Sequence, residues 1–178
     1  MKPGQSARLS NHPLGMESDI LESHRIISLE EGSESIAEQL SCMEPWRTLG
    51  YTAARLQNYL TSPDPCLRCM AIVAGEADEL RLVGVACVRF PWLFGAYLEL
   101  FAIFPDYQGM GLGTKVLTWL ERRVAEKTRN LWIIVSSFNE SARAFYRKRG
   151  FFEVTKLEDL ITVGFDEILL RKNLMHNA

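Results

Sequence analysis

The residues best placed to do chemistry are Gln108-Gly109-Met110-Gly111-Leu112-Gly113, which lie between an apolar stretch ending at Phe104 and a helical pattern starting near Leu112. Glycines at a helix N-terminus leave backbone N–H groups unpaired and let a ligand approach them closely. The helix dipole points the same way, so such a turn attracts anions, and a diphosphate suits it. An isolated Gly-x-Gly is equally compatible with a tight connection that binds nothing. Gly113 shifts that balance, because it falls inside the helix, where glycine costs roughly 1 kcal/mol relative to alanine and close ligand approach supplies a reason for it. Two other phosphate motifs are excluded. A Walker A loop needs Gly-Lys-Ser/Thr, whereas Gly113 is followed by Thr114 and Lys115. A dinucleotide fingerprint needs a third glycine where Thr114 stands, and an acidic residue after the next strand, where Ser136 and Ser137 stand.

Two further features carry chemistry. Glu99 is a lone carboxylate in the apolar run from Ala96 to Phe104 that enters the turn, which makes it a candidate general base; the alternative is an outward-facing or ion-paired strand glutamate. Cys66 and Cys69 have the C-x-x-C spacing, but no second cysteine pair or histidine lies near them and they lead into the strand-like Met70-Ala71-Ile72-Val73-Ala74. Strand positions three apart point to opposite faces, so the pair does not converge on a metal, and no metal is expected.

The elements that must position these residues follow from periodicity. Residues 1–22 lack sustained periodicity and carry Pro3, Gly4, Pro13 and Gly15, so they read as a weakly structured extension to a single domain over residues 23–175. His24 to Leu29 is a short strand. Ser33, Ile36, Ala37 and Leu40 outline a capped amphipathic helix that ends before Pro45, and Thr52 to Leu60 a second helix that ends at Ser62-Pro63-Asp64-Pro65. Leu67 to Ala74 and Leu80 to Phe90 form a hairpin. Ala96 to Phe104 then feeds the glycine turn and a helix from Leu112 to about Thr128, with Val116, Leu117, Leu120 and Val124 facing inward. Leu131 to Val135 is a buried strand and Glu140 to Lys148 a helix stopped by Gly150. Phe151 to Lys156 and Glu167 to Arg171 close the sheet. The class is α/β with one strand-helix-strand unit in the second half.

Gln108-x-x-Gly111-x-Gly113, preceded by Pro105-Asp106-Tyr107, resembles the Gln/Arg-x-x-Gly-x-Gly/Ala signature of the GNAT superfamily of acyl-coenzyme-A N-acyltransferases. Downstream, Asn139 through Phe151 is similar to that family's Asn-x-x-Ala-x-x-x-Tyr-x-x-x-Gly-Phe segment. Two motifs in order and at the right separation are far more specific than either alone. The resemblance implies a mixed, strongly twisted, mostly antiparallel sheet of about six to seven strands with helices on both faces. It implies acetyl-coenzyme A as co-substrate, its diphosphate held by Gln108, Gly109, Met110, Gly111, Leu112, Gly113 and Thr114, and its pantetheine arm paired with the strand at Phe101, Ala102 and Ile103. Asn139 is implied as a pantetheine partner. Tyr146 is implied to protonate the departing thiolate, against the alternative of a packed aromatic beside Phe145. Trp46, Arg47 and Tyr51 lie where relatives build the acceptor wall, and Pro91-Trp92-Leu93-Phe94-Gly95 is assigned either the opposite wall or an apolar patch buried in a homodimer.

The resulting expectation is acetyl transfer to a primary amine, of a small molecule or a protein N-terminus, by direct attack in a ternary complex. No cysteine lies on the cofactor strand to act as a relay. The rivals are a non-catalytic acyl-coenzyme-A-binding regulatory domain and a nucleotide-binding switch domain. A net charge of -2 without a block of like charges argues against a nucleic-acid partner. No stretch approaches the roughly 20 apolar residues of a membrane span, and four cysteines do not outline a secreted disulfide framework, so a cytoplasmic protein is expected.

Overall fold

A computed structural model describes Leu14 and residues 19–21, 24–29, 32–75 and 79–176. In chain order the elements are β1 (Asp19–Leu21), β2 (His24–Ser28), α1 (Ser33–Ser41), α2 (Ala53–Leu60), β3 (Leu67–Ala74), β4 (Arg81–Trp92), β5 (Gly95–Ile103), α3 (Leu112–Ala125), β6 (Asn130–Ser136), α4 (Glu140–Lys148), β7 (Phe152–Thr162) and β8 (Phe165–Asn173). The strands form one sheet in the order β1-β2-β3-β4-β5-β6-β8-β7. Only β5 and β6 are parallel, joined by the α3 crossover.

Helices cover both faces, as expected. On one, Ile36, Ala37 and Leu40 of α1 and Leu56 and Leu60 of α2 pack on Ala71, Val73, Val85, Leu100 and Ala102. On the other, the α3 stripe of Leu112, Val116, Leu117, Leu120 and Val124 packs with Tyr146 of α4 on Ile72, Ala86, Leu98 and Ile133. Each fully buried leucine or isoleucine of these stripes contributes roughly 1.5–3 kcal/mol, which fixes the helices against the sheet and with them the ends that bear on the site.

Three features depart from the sequence expectation. The sheet has eight strands rather than six to seven, because Asp19–Leu21 of the supposed extension pairs antiparallel with β2. Asp19 Oδ2 accepts from Trp119 Nε1 (2.7 Å) and Arg123 Nη2 (2.8 Å) on α3, and Leu14 is buried in the core; the other residues of the extension lie outside those described. Ser33 does not cap α1: the capping position is Gly32, with a left-handed backbone and no side-chain bond. β7 runs on to Thr162 instead of stopping at Lys156. Among the described residues, no helix is long and apolar enough to cross a membrane. Cys69 faces Cys87 across β3 and β4, while Cys66 precedes the strand, and both are free thiols.

Candidate active site

The turn after β5 is built from two left-handed glycines. Gly109 (φ 77°) and Gly111 (φ 79°) flank Met110, and a Cβ on either glycine meets no protein atom within 4 Å. The two left-handed glycines bend the chain tightly, and open space lies beside both of them; a bend of this kind is one that can gather backbone N–H groups for an anion. Gly111 is also the N-cap of α3 and offers no side chain to the first turn. Tyr107 and Gln108 N–H groups are used by Phe104 and Pro105 carbonyls, and Lys115 N–H by Gly111. Among the described residues, none accepts from the N–H groups of Gly109 through Thr114. The Gln108 side chain is committed elsewhere, donating from Nε2 to the Ile103 carbonyl at 2.8 Å. It ties turn to strand rather than facing a ligand. Leu112 is buried in the core and lines the cleft, whereas Met110 is exposed and does not line it.

The strand beside this turn has one free edge. β5 pairs with β6 at Ala96–Leu131, Tyr97–Trp132 and Leu98–Ile133, and no further. Opposite, the register with β4 slips between Cys87–Leu100 and Val88–Leu98, so Glu99 is an extra, bulged residue. A bulge resets which face each side chain takes. Leu98 accordingly packs on the α3 side, and Leu100, two residues on, packs on the α1 side. The strand is turned away from β6 at that point, which opens the sheet into a wedge. Phe104 N–H donates to the Val83 carbonyl of β4 at 2.9 Å. Strand polar groups alternate, so Ala102 also faces β4, whereas the peptide groups of Phe101 and Ile103 face the wedge. Of the three predicted strand residues, two present hydrogen-bonding groups there.

The α4 helix brings the second motif to the same place. Asn139 caps it, its Oδ1 accepting from Ala142 N–H (3.2 Å) and Ser141 Oγ (3.0 Å), which leaves Nδ2 as its available donor. Tyr146, two residues before the helix end, is 7% exposed and packs edge-on against Phe145 and Phe151. Its hydroxyl has no hydrogen-bond partner among the described residues. Burial pushes its pKa well above that of an ordinary tyrosine, so the phenol keeps its proton at neutral pH.

Two connected chambers meet at this tyrosine. The first, about 710 Å³, runs from the glycine turn past Phe101 to Ile103 and under Phe145. The second, about 380 Å³, lies within the wedge between the end of β6 and α2. Trp46, Phe101, Asn139 and Tyr146 line both, so a group held in one reaches the other at Tyr146.

The residues predicted for an acceptor wall fall partly around the second chamber. Trp46 and Tyr51 line it. Arg47 does not: it is largely exposed and held by Glu44 Oε1 at 2.6 Å. Arg55, in the first turn of α2 and stacked 4.2 Å over the Tyr51 ring, is the guanidinium that lines the chamber. Glu99 also lines it, but not as a lone carboxylate, since Oε2 accepts from Arg89 Nε at 2.7 Å. The Pro91 to Gly95 loop lines neither chamber. It is fastened to the start of β6, with Leu93 and Phe94 carbonyls accepting from Trp132 and Asn130 side chains, and the β7 residues Leu160 and Ile161 supply the wall instead. Sequence reasoning missed Ser136 and Glu167, whose side chains meet at 2.9 Å in the chamber. The available signal was the one that singled out Glu99: a carboxylate heading an apolar run, here Ile168-Leu169-Leu170.

A glycine turn with unaccepted N–H groups among the described residues, an open strand edge and a buried phenol line one cleft. The model of the Acetyltransferase (GNAT) family matches residues 29–151. The chain belongs to the GNAT acetyltransferase family. Members of this family use acetyl-coenzyme A. Among curated relatives, this GNAT chain is 28% identical over 153 residues to S-alkylcysteine N-acetyltransferase of Bacillus subtilis (strain 168), covering 76% of this chain and 83% of the relative. It is 26% identical over 161 residues to S-(2-succino)cysteine N-acetyltransferase of the same organism, covering 85% and 96%. Among solved structures, an acetyltransferase from Thermus thermophilus superposes with a TM-score of 0.68 at 20% identity, covering 86% of this chain and 98% of that one, a likeness of fold.

Proposed function

We propose that this GNAT protein transfers the acetyl group of acetyl-coenzyme A to the α-amine of a small amino-acid acceptor, by direct attack in a ternary complex. The observation that carries the reading is the run of N–H groups from Gly109 to Thr114 with no acceptor among the described residues, continuous with the β5 edge at the Phe101 peptide groups and the Ile103 N–H; the Ile103 carbonyl is taken by Gln108 Nε2. The turn takes the diphosphate, the strand edge takes the pantetheine amides, and Asn139 Nδ2 adds a donor. The thioester then lies at Tyr146, where the chambers meet. Strand N–H groups aimed at the acetyl oxygen stabilise the charge that develops there during attack, the largest single contribution in acyl transfer. A sulfur departing beside Tyr146 takes its proton from a phenol that burial keeps protonated.

The acceptor chamber supports a small zwitterion. Arg55 carries no ion pair among the described residues and suits a carboxylate; Trp46, Tyr51 and Tyr97 suit an apolar side chain. Both curated relatives are named for S-substituted cysteines, which share the α-amine and the carboxylate; an S-alkyl group adds the apolar side chain. The test is thiol release from acetyl-coenzyme A with S-methylcysteine, spermidine and an alanine-initiated peptide. The expected order places S-methylcysteine first. Thermal stabilisation by acetyl-coenzyme A without thiol release would favour the regulatory-domain rival.

A further inference from the structure

Amine attack requires a neutral nitrogen, and losing the proton of an amine with pKa near 10.4 costs roughly 4–5 kcal/mol at neutral pH, less for an α-amine. A group must receive that proton. Glu99 sits in the chamber but already forms an ion pair with Arg89, which also contacts Asp64. Glu167 is different. It is 1% exposed, lines the acceptor chamber from β8, and forms no ion pair among the described residues. Its only bond there is from Ser136 Oγ to Oε1, across the β6–β8 register. The other carboxylate oxygen is left without a protein donor among the described residues.

A buried carboxylate with one neutral donor costs folding free energy, and a cationic substrate in the same chamber accounts for its retention. The groups around it fit this. Tyr97 on β5 and Tyr146 on α4 are held as phenols by burial. Asp166, its neighbour on β8, is engaged by Lys156 of β7 at 3.1 Å. Arg55 and the Arg89–Glu99 pair complete the charges lining the chamber or bonded to its wall. Burial, with Asp166 nearby, raises the Glu167 pKa, and the Ser136 bond opposes that. Such a carboxylate is a better proton acceptor than an exposed one.

Resting on the acetyltransferase reading above, we propose that Glu167, held by Ser136, binds the acceptor's ammonium group and takes its proton. The ammonium gives one proton to the carboxylate, which later passes it to water. The freed lone pair forms the C–N bond on the thioester carbon, and the C–S bond breaks with its electron pair on sulfur. Sulfur takes the Tyr146 phenol proton, and the tyrosinate is reprotonated by the second proton leaving the acylated nitrogen. The balance is one acetyl group moved, one thiol formed and one proton released.

The experiment uses the full chain with acetyl-coenzyme A and S-methylcysteine, or spermidine if it is the better acceptor, from pH 5.5 to 9.5. Glu167→Gln is expected to lower kcat/KM more than thirtyfold while thermal stabilisation by acetyl-coenzyme A is unchanged. Ser136→Ala, which removes one hydroxyl and does not depend on Glu167→Gln folding, is expected to move the acidic limb of the kcat/KM profile to higher pH. Glu167→Gln turnover within threefold of the parent, or an unmoved limb in Ser136→Ala, overturns the proton-acceptor role and leaves the acetyltransferase reading standing. Absence of thiol release from the parent protein with every amine of the panel overturns both.

Discussion

Tyr146 shows how one side chain is given a task by its surroundings. Phe145, Phe151 and the α3 face remove water from the ring, and this raises the cost of the phenolate without touching the phenol. The residue therefore keeps its proton at neutral pH, as the proposed acid role requires. Tyr146→Phe keeps the ring and loses that proton; turnover should fall more than tenfold while acetyl-coenzyme A affinity, measured by calorimetry, stays within about twofold. Unchanged turnover would remove the residue from the acid role. Glu167 is biased in the same direction, toward its protonated form, and its stability signature follows in sign. Its folded pKa is raised above the unfolded value, so the native state binds the proton more tightly. Stability is then greatest below the unfolded pKa and declines as pH rises through the folded one. Glu167→Gln mimics the protonated form, so it should melt higher than the parent at pH 7.5, and the difference should shrink as the pH falls into the carboxylate range. A melting temperature lowered equally at both pH values would contradict the assignment.

At the scale of elements, the β5-turn-α3 unit was legible because its signal is local. A glycine pattern, an apolar strand before it and a 3.6-residue stripe after it all lie within consecutive residues, and the predicted strand and helix differ from β5 and α3 by only a few terminal residues. The wedge was not legible. It depends on a bulge at Glu99 that exists only in the register between β4 and β5, and on β6 parting from β5 after Ile133. Neither leaves a mark in the sequence of one strand. β7 was cut short for a related reason: it is a sheet edge with most side chains exposed, so the alternation that reports burial is missing past Lys156. The same unit allows two opposed glycine predictions. At Gly111 a side chain is forced into a left-handed backbone and projects into open space, so Gly111→Asp should abolish acetyl-coenzyme A binding by sterics and repulsion. At Gly113 the backbone is helical and an added Cβ meets Ile103 and Phe145 at 3.7 Å, an ordinary contact. No protein atom demands glycine there. Gly113→Ala should raise stability in urea by about 0.5–1 kcal/mol, and a loss of stability would show that the α3–α4 packing is tighter than these distances imply.

The whole molecule is held together across the wedge by little. The β4 side of the sheet and the β6-β8-β7 side join through three residue pairs of parallel ladder, supplemented by α3 and α4 packing beneath. A ligand that lies along the β5 edge, reaches the α3 N-terminus at one end and Tyr146 at the other therefore bridges both halves and binds the folded chain alone. Linkage gives the size of the effect: at one hundred times Kd such a ligand stabilises by about 2.7 kcal/mol, or roughly 5–10 °C in Tm for a chain of this length. What distinguishes the bridge from simple anion binding is which part of the ligand contributes. A nucleoside diphosphate offers the turn its phosphates and leaves the Phe101 and Ile103 groups to water. Coenzyme A, with the pantetheine arm, satisfies them. Compared at equal concentration, coenzyme A should raise Tm by several degrees and ADP by much less, and cutting the arm back should lose the shift stepwise. Equal shifts from the two ligands would mean that only the glycine turn is engaged, and a larger shift from ATP or GTP would return the molecule to the nucleotide-switch reading. In either case the strand edge would not be the place where the thioester is held.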